Sequence, residues 1–213
     1  MSQSPRLLVV MDVDSTLIEQ EVIELLAECA GKRAEVEAVT ERAMSGELDF
    51  EASLKARVSL LKGLPESVIK ETLAKCTFTK GARELVAAVH AAGGKVGAVS
   101  GGFTQLLEPL AKDIGLDFYR ANVLEVVDGV LTGEVIGDII DKPAKATALL
   151  EWASAIEVDV KYTIAIGDGA NDLDMMQAAG LSIGFNARPR VRAAADVILT
   201  SGDLSDAIAL IGL

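Results

Sequence analysis

The chain reads as an α/β protein, a doubly wound parallel sheet with a helical segment inserted after its first strand. Two patterns predict this. Short apolar runs recur along the chain at Leu7–Met11, Lys95–Val99, Tyr162–Ile166, Leu181–Phe185 and Val197–Leu199, separated by stretches of helical periodicity. A near-continuous apolar run bounded by turn residues is what a strand covered on both faces looks like, and parallel strands are covered that way. Between residues 17 and 76 the strand pattern stops. Helical periodicity takes over there, over Val22–Ala30, Arg33–Met44, Phe50–Leu61 and Glu66–Lys75, punctuated by Gly31, Gly46 and the Gly63-Leu64-Pro65 stop. The expected organisation is a core of residues 1–16 and 77–213 and a helical-bundle cap of residues 17–76.

The remaining elements follow in order. Leu85–His90 precedes Gly93-Gly94 as a helix ending in a turn, which makes the single histidine, His90, a helix-end or surface residue. Val123–Val127 and Val130–Val135 flank Asp128-Gly129, the pair that a tight primed hairpin turn favours, so a hairpin at a sheet edge is expected. Ala144–Ala155 is an Ala-rich helix opened by Asp141-Lys142-Pro143. After Phe185, Asn186 and Arg188 follow a strand's end, where they can border the site, but read first as a loop cap and a surface charge before a short helix, and Leu204–Ile211 closes the chain.

Composition bounds the partners. With 213 residues and 50% apolar content the chain can build one substantial core. A formal net charge of -12 argues against nucleic acid, whose phosphates demand a cationic surface. No run approaches the ~20 apolar residues of a membrane helix, and the apolar run before Asp12 is short for a signal peptide. Cys29 and Cys76 stand far apart in apolar surroundings with no CxxC, which suggests buried free thiols in a cytoplasmic protein.

Chemistry concentrates at strand ends. Asp12 and Asp14 follow the first apolar run directly, at the place where open α/β sheets put their ligands. If the chain stays extended there, both carboxylates point the same way and can hold a hard cation or divide nucleophilic and acid/base work. An EF-hand loop is excluded, because its sixth position is Leu17 and its twelfth Ile23. Ser100-Gly101-Gly102 ends the second run with a hydroxyl and unobstructed amides, suited to an anion. Lys145 puts an ammonium near a helix N-terminus, where the dipole does not favour it, so its presence asks for a functional reason. Gly167-Asp168-Gly169-Ala170-Asn171-Asp172 brackets one acid with glycines and adds a second four residues on, a candidate metal loop. With one histidine in the chain, a histidine-based triad has no support.

Taken in order, these four segments resemble the signature of the haloacid dehalogenase-like phosphatase superfamily. The resemblance implies Asp12 as nucleophile forming an aspartyl-phosphate, Asp14 as general acid and base, and Mg²⁺ held by Asp12, the Asp14 carbonyl and Asp168. Asp172 and Asn171 would orient the surrounding shell, while Ser100, the Gly101 amide and Lys145 bind the phosphate oxygens. An acid at position 14 favours hydrolysis or transfer over retention of the intermediate. In the inserted segment, Glu21, Met44, Phe50 and Arg57 resemble the substrate-recognition residues of phosphoserine phosphatases. That resemblance implies release of L-serine and phosphate from O-phospho-L-serine, the last step of serine biosynthesis. A phosphatase or phosphotransferase for phosphothreonine or phosphohomoserine is the alternative, since one methyl or methylene is worth only ~1–3 kcal/mol of discrimination. A non-catalytic phosphate-binding regulator is the third reading.

Overall fold

A computed structural model describes residues 7–44 and 47–213, apart from the side chains of residues 43 and 44. Its centre is β1 (Leu8–Met11), four residues buried on both sides. Leu8 and Val10 join one apolar core and Val9 and Met11 another, so the alternation of a strand divides the interior in two. Parallel to β1 lie β2 (Lys95–Phe103) on one side and β5 (Thr163–Gly167) on the other. The sheet continues through β3 (Phe118–Val127), β4 (Val130–Ile136), β6 (Leu181–Phe185) and β7 (Val197–Leu199) in the order β4-β3-β2-β1-β5-β6-β7. Only the β3–β4 pair is antiparallel. The chain winds outward from β1 to β4, then returns to β5 and winds the other way. That reversal opens a crevice at the C-terminal ends of β1 and β5.

Helices cover both faces. The Leu8/Val10 face is closed by α7 (Lys142–Ala155), α8 (Leu173–Ala178) and α9 (Pro189–Arg192), with Trp152 of α7 stacked on Phe118 at 5.4 Å. Trp152 also explains Gly97, where a Cβ would lie 2.7 Å from the indole ring. The opposite face carries α5 (Ala82–Ala91), α6 (Thr104–Ile114) and α10 (Asp206–Leu210). Between Leu17 and Cys76 the regular elements are α1 (Val22–Cys29), α2 (Arg33–Met44), α3 (Phe50–Ser59) and α4 (Ser67–Leu73). Their buried residues Leu26, Val36, Leu54 and Val68 belong to the same apolar cluster as Val9 and Met11.

The segment holding these four helices is tied to the sheet at two places. Its ends run side by side, with Glu19 N–H donating to the Thr77 carbonyl (3.0 Å) and Thr79 N–H to the Leu17 carbonyl (3.0 Å). The α3–α4 connection lies along β4, through Gly63 N–H to Leu131 C=O (2.9 Å), Leu131 N–H to Leu64 C=O and Glu66 N–H to Gly129 C=O (both 2.8 Å). These bonds cover part of a sheet edge that would otherwise be open to other chains.

Several sequence expectations are corrected in detail. The strand at Lys95 continues through Ser100-Gly101-Gly102 to Phe103, because the backbone stays extended although its pairing with β3 shifts register after Val99. Strand β3 starts at Phe118, ahead of the hairpin, since its first residues pair in parallel with β2 before the rest turns back as β4. At the turn itself Asp128 and Gly129 both have positive φ, 51° and 75°, as a primed turn requires. The two cysteines are free but half-buried. No helix among the described residues is long and apolar enough to cross a membrane.

His90 ends α5 beside Asp117, and the Asp117 carboxylate ties three elements together. It accepts from His90 Nε2 (2.8 Å), Lys95 Nζ (2.6 Å) and the Val96 amide (2.9 Å). Partial burial pushes its pKa up, but the hydrogen bonds from Lys95, Val96 and His90 outweigh this and hold it below the ordinary carboxylate range. A carboxylate with a depressed folded-state pKa stabilises above its unfolded pKa, and that stability is lost as pH falls through the folded value. Asp117→Asn is therefore expected to lower stability at pH 7 by roughly 1 kcal/mol, discounted for partial exposure. The deficit should shrink below about pH 4; thermal melts at the two pH values check this, and a pH-independent deficit would contradict it.

Candidate active site

Four short segments converge on the crevice at the ends of β1 and β5. β1 ends at Met11; Asp12 (ψ 165°) and Asp14 (φ -64°, ψ 132°) keep extended dihedrals, and Ser15, just after them, takes φ +57° within the tightly turned Val13–Leu17 segment. Asp12 and Asp14 nonetheless have different surroundings. Asp12 Oδ1 accepts from its neighbour's amide, Val13 N (2.7 Å), and from Lys145 Nζ (2.6 Å). Asp14 instead faces the helical segment, accepting from the Val22 amide at the start of α1 (3.2 Å).

Lys145 is wholly buried one turn into α7. Asp141 caps that helix by accepting from the Ala144 amide (3.0 Å), with Pro143 in the first turn. Besides Asp12, the Lys145 ammonium donates to Asp172 Oδ1 (2.7 Å), and Asp172 Oδ2 accepts from the Gly169 amide (3.0 Å). Burial penalises the Lys145 charge, but Asp12 and Asp172 outweigh it and raise its pKa, so the ammonium is permanent. Gly167 leaves room for this arrangement: a Cβ there would sit 2.5 Å from the Asp172 carboxylate.

Asp168 follows β5 directly. Its Oδ1 accepts from Thr16 (3.4 Å), and Arg188 Nε lies 3.8 Å from Oδ2 while the Arg188 amide donates to the Asp168 carbonyl (2.9 Å). Arg188 thus is the exposed charge the sequence suggested and also borders the site, the alternative its place after a strand's end had left open. The β6–α9 turn carries it there, a placement that composition does not encode. A cavity of about 510 Å³ opens beside Asp168, lined in part by Ser15, Glu19, Asn186 and Arg188.

Oxygens of Asp12, Asp168 and Asp172 lie within 4.8 Å of one another. Burial, then the charge of Asp12, raises the pKa of Asp168 to about 6 and that of Asp172 to about 7. Against three carboxylates stands one ammonium, leaving negative charge that a hard divalent cation would neutralise. The all-oxygen donor set fits such an ion. The cluster differs from the sequence reading by including Asp172 itself, although both its oxygens already accept hydrogen bonds.

Ser100, Gly101 and Gly102 form the opposite wall. The Gly102 amide donates to Ser100 Oγ (2.7 Å). A Cβ on Gly102 would lie 3.0 Å from Ser100 Oγ and from Val22, and 3.1 Å from Asp14 Oδ2, so any side chain there would push these groups apart. Over Gly101 sits the Phe50 ring at the start of α3, 2.9 Å from where a Cβ would be. Asn171 lies half-buried in the turn before α8, its carboxamide folded back over Gly169.

Above this wall, Glu21 precedes α1 and accepts from Ser15 Oγ (2.7 Å). Half-buried Arg57, two turns along α3 from Phe50, donates through Nε to the Ser53 carbonyl (3.3 Å) and makes no ion pair within 4.0 Å among the described residues. Burial lowers its pKa, while Glu21, Asp14 and Glu24 act the other way. Met44 ends α2, but its side chain lies outside the described ones. Asp14 is raised well above the usual carboxylate range by burial, then by Glu21 and Asp12. The structure thus gathers Asp12, Asp14, Ser100, Gly101, Lys145, Asp168, Asn171 and Asp172 around one crevice and sets Glu21, Phe50 and Arg57 on its helical side.

Residues 9–177 match the family model described as haloacid dehalogenase-like hydrolase, and the chain belongs to that family. Phosphoserine phosphatase of Streptococcus thermophilus is 50% identical over 204 residues, covering 96% of this chain and 95% of the relative. That of Streptomyces coelicolor is 53% identical over 206 residues, covering 97% of this chain but only 50% of its own length. A solved phosphoserine phosphatase holding a phospho-aspartyl intermediate analogue superposes with a TM-score of 0.91 at 39% identity, covering 97% of this chain and 99% of the other.

The carboxylate cluster leads to a direct test. Adding a divalent cation to chelator-treated protein at pH 7.5 is expected to raise the melting temperature, with about 2.7 kcal/mol of stabilisation at 100 times Kd. Asp168→Asn should remove most of the rise, and a monovalent salt of equal ionic strength should not reproduce it. Calorimetry that shows no cation-dependent shift would rule out the metal site.

Proposed function

We propose that the chain is a Mg²⁺-dependent phosphoserine phosphatase in which residues 17–76 form a cap over the catalytic crevice. The observation that carries this reading is the joining of a buried Asp12–Lys145–Asp172 ion cluster to an acid, Glu21, and a half-buried guanidinium, Arg57, on one cleft. Half-buried free cysteines suit a reducing cytoplasm.

Asp12 attacks phosphorus. Its Oδ1 is engaged by Lys145 and the Val13 amide, which leaves Oδ2 as the attacking oxygen. As the Oδ2–P bond forms, the bond from phosphorus to the serine oxygen breaks, and Asp14 gives that oxygen a proton. The raised pKa of Asp14 suits it to hold the proton until then. In the second half Asp14 takes a proton from water, the water oxygen bonds to phosphorus, and the Asp12 link breaks to release phosphate. Ser100, the Gly101 amide and Lys145 bind the phosphoryl oxygens and stabilise the charge that spreads over them. Asp12, the Asp14 carbonyl and Asp168 would hold Mg²⁺, with Asp172 and Asn171 supporting them; the ion offsets repulsion between Asp12 and the phosphate dianion.

Phosphoserine presents an ammonium and a carboxylate beyond its phosphate. Glu21 complements the first. Arg57 complements the second, since its two terminal nitrogens can grip a carboxylate side by side. Phe50 over Gly101 shields the site from water.

Preference for O-phospho-L-serine over p-nitrophenyl phosphate is expected to reach about a hundredfold in kcat/KM, or about 2.7 kcal/mol. Phosphothreonine and phosphohomoserine should fall between them. Arg57→Ala should cost most of that preference while leaving p-nitrophenyl phosphate turnover within about threefold; equal losses on both substrates would remove the specificity assignment. Asp12→Asn is expected to abolish turnover with cooperative melting retained, and undiminished activity in that variant would refute the nucleophile.

A further inference from the structure

We propose that Asn122 is a positioning residue for phosphate binding, one carboxamide that sets both the Ser100 wall and the helix bearing Lys145. The proposal rests on the phosphoryl-transfer reading of the site. Asn122 lies in β3 and is 1% exposed. Its Nδ2 donates to the Gly101 carbonyl (2.9 Å), and its Oδ1 accepts from the Ile140 amide (2.8 Å). A carbonyl can only accept and an amide can only donate, so the two partners fix the orientation of the side chain.

Both contacts fall where regular structure fails. The β2–β3 ladder shifts register between Val99 and Phe103, so the strand pairing there is irregular around Gly101. Ile140 stands between β4 and α7, outside any ladder. Without Asn122, a part-buried acceptor and a buried donor would lose partners they have no regular structure to replace.

The consequence for the site follows from peptide planarity. The Gly101 carbonyl and the Gly102 amide belong to one rigid unit, so holding the first aims the second. The Gly102 amide donates to Ser100 Oγ, which occupies a lone pair of that oxygen and leaves the hydroxyl hydrogen to point at a phosphoryl oxygen. At the other end, Ile140 adjoins Asp141, the N-cap of α7, whose carbonyl accepts the Lys145 amide (3.0 Å). One buried side chain therefore sets the spacing between a phosphate-binding hydroxyl and a phosphate-binding ammonium.

The test compares Asn122→Ala with Asn122→Asp, which keeps the volume and the acceptor for Ile140, well below each variant's melting temperature. Readouts are kcat for phosphoserine and p-nitrophenyl phosphate, affinity for inorganic phosphate, and each variant repeated in a Ser100→Ala background. Expected are losses in kcat of about 10- to 100-fold, equal for the two substrates because Glu21 and Arg57 are untouched, with a matching loss of phosphate affinity. In the Ser100→Ala background the further loss should be much smaller for Asn122→Asp, which keeps the Ile140 contact, and larger for Asn122→Ala, which also frees the α7 end. Wild-type kcat and phosphate affinity in either folded variant, full multiplication of the Asn122→Asp and Ser100→Ala effects, or failure of both variants to fold would each overturn the proposal in favour of a structural role. A wild-type protein that cleaves p-nitrophenyl phosphate but not phosphoserine would defeat the substrate assignment alone, and the phosphate-binding arm would still decide the role of Asn122.

Discussion

The ion cluster of Lys145 with Asp12 and Asp172 is the constraint on which the rest of the site depends. The ammonium is wholly buried and its partners nearly so, which means that each is tolerated only because the others are present. Removing one partner of such a cluster commonly costs about 3–5 kcal/mol, since an unpaired charge is left in the interior. An apolar trio of equal volume would be at least as stable. The cluster is therefore poorly explained by folding and well explained by chemistry, because it holds a charged ammonium at the crevice where the proposed phosphate would be met.

The fold delivers these charges through strand ends and helix starts. Three segments that are distant in sequence meet because β1 sits between β2 and β5 at the reversal of the winding order. Each carries its functional group just past the last ladder residue or at a helix N-terminus, where backbone amides are still free to bind anions. Glycines let the walls close: Gly102 admits Asp14 and Ser100 to the same space, and Gly167 admits Asp172 behind Asp168. The electrostatics then separate two chemically identical acids. Asp12 is held against an ammonium, while Asp14 lies beneath the helices beside Glu21 and is pushed toward its protonated form.

Much of this was legible in the sequence, for reasons that differ by element. β1 could be read because burial on both faces leaves an uninterrupted apolar run, and the hairpin because Asp128-Gly129 is required by its positive φ angles. The four inserted helices could be read from period and glycine punctuation. Asp168 and Asp172 stood out as acids among glycines. What could not be read depends on tertiary geometry. The environments of Asp12 and Asp14 differ because Lys145 from α7 reaches one and the Val22 amide from α1 the other, which no local signal announces. Asn122 acquires its partners only where the β2–β3 ladder shifts register and outside any ladder at Ile140.

The helical segment must let substrate in, and the hydrogen bonds that hold it limit how. Its two ends are laced together at Leu17–Glu19 and Thr77–Thr79, and the α3–α4 connection is laced to β4. Any opening that preserves these bonds leaves residues 63–66 on the sheet edge and keeps the neck closed. Such an opening has to be taken up by α1, α2 and the first turns of α3. Those are the parts that carry Glu21 and Phe50 and neighbour Arg57. Under the proposed assignment, Glu21 and Phe50, on the amino-acid side of the cleft, sit on this portion of the segment, and Ser100 and Lys145, on the phosphate side, sit on β2 and α7. Binding the amino acid can then close the cleft over a phosphate site whose geometry is already fixed.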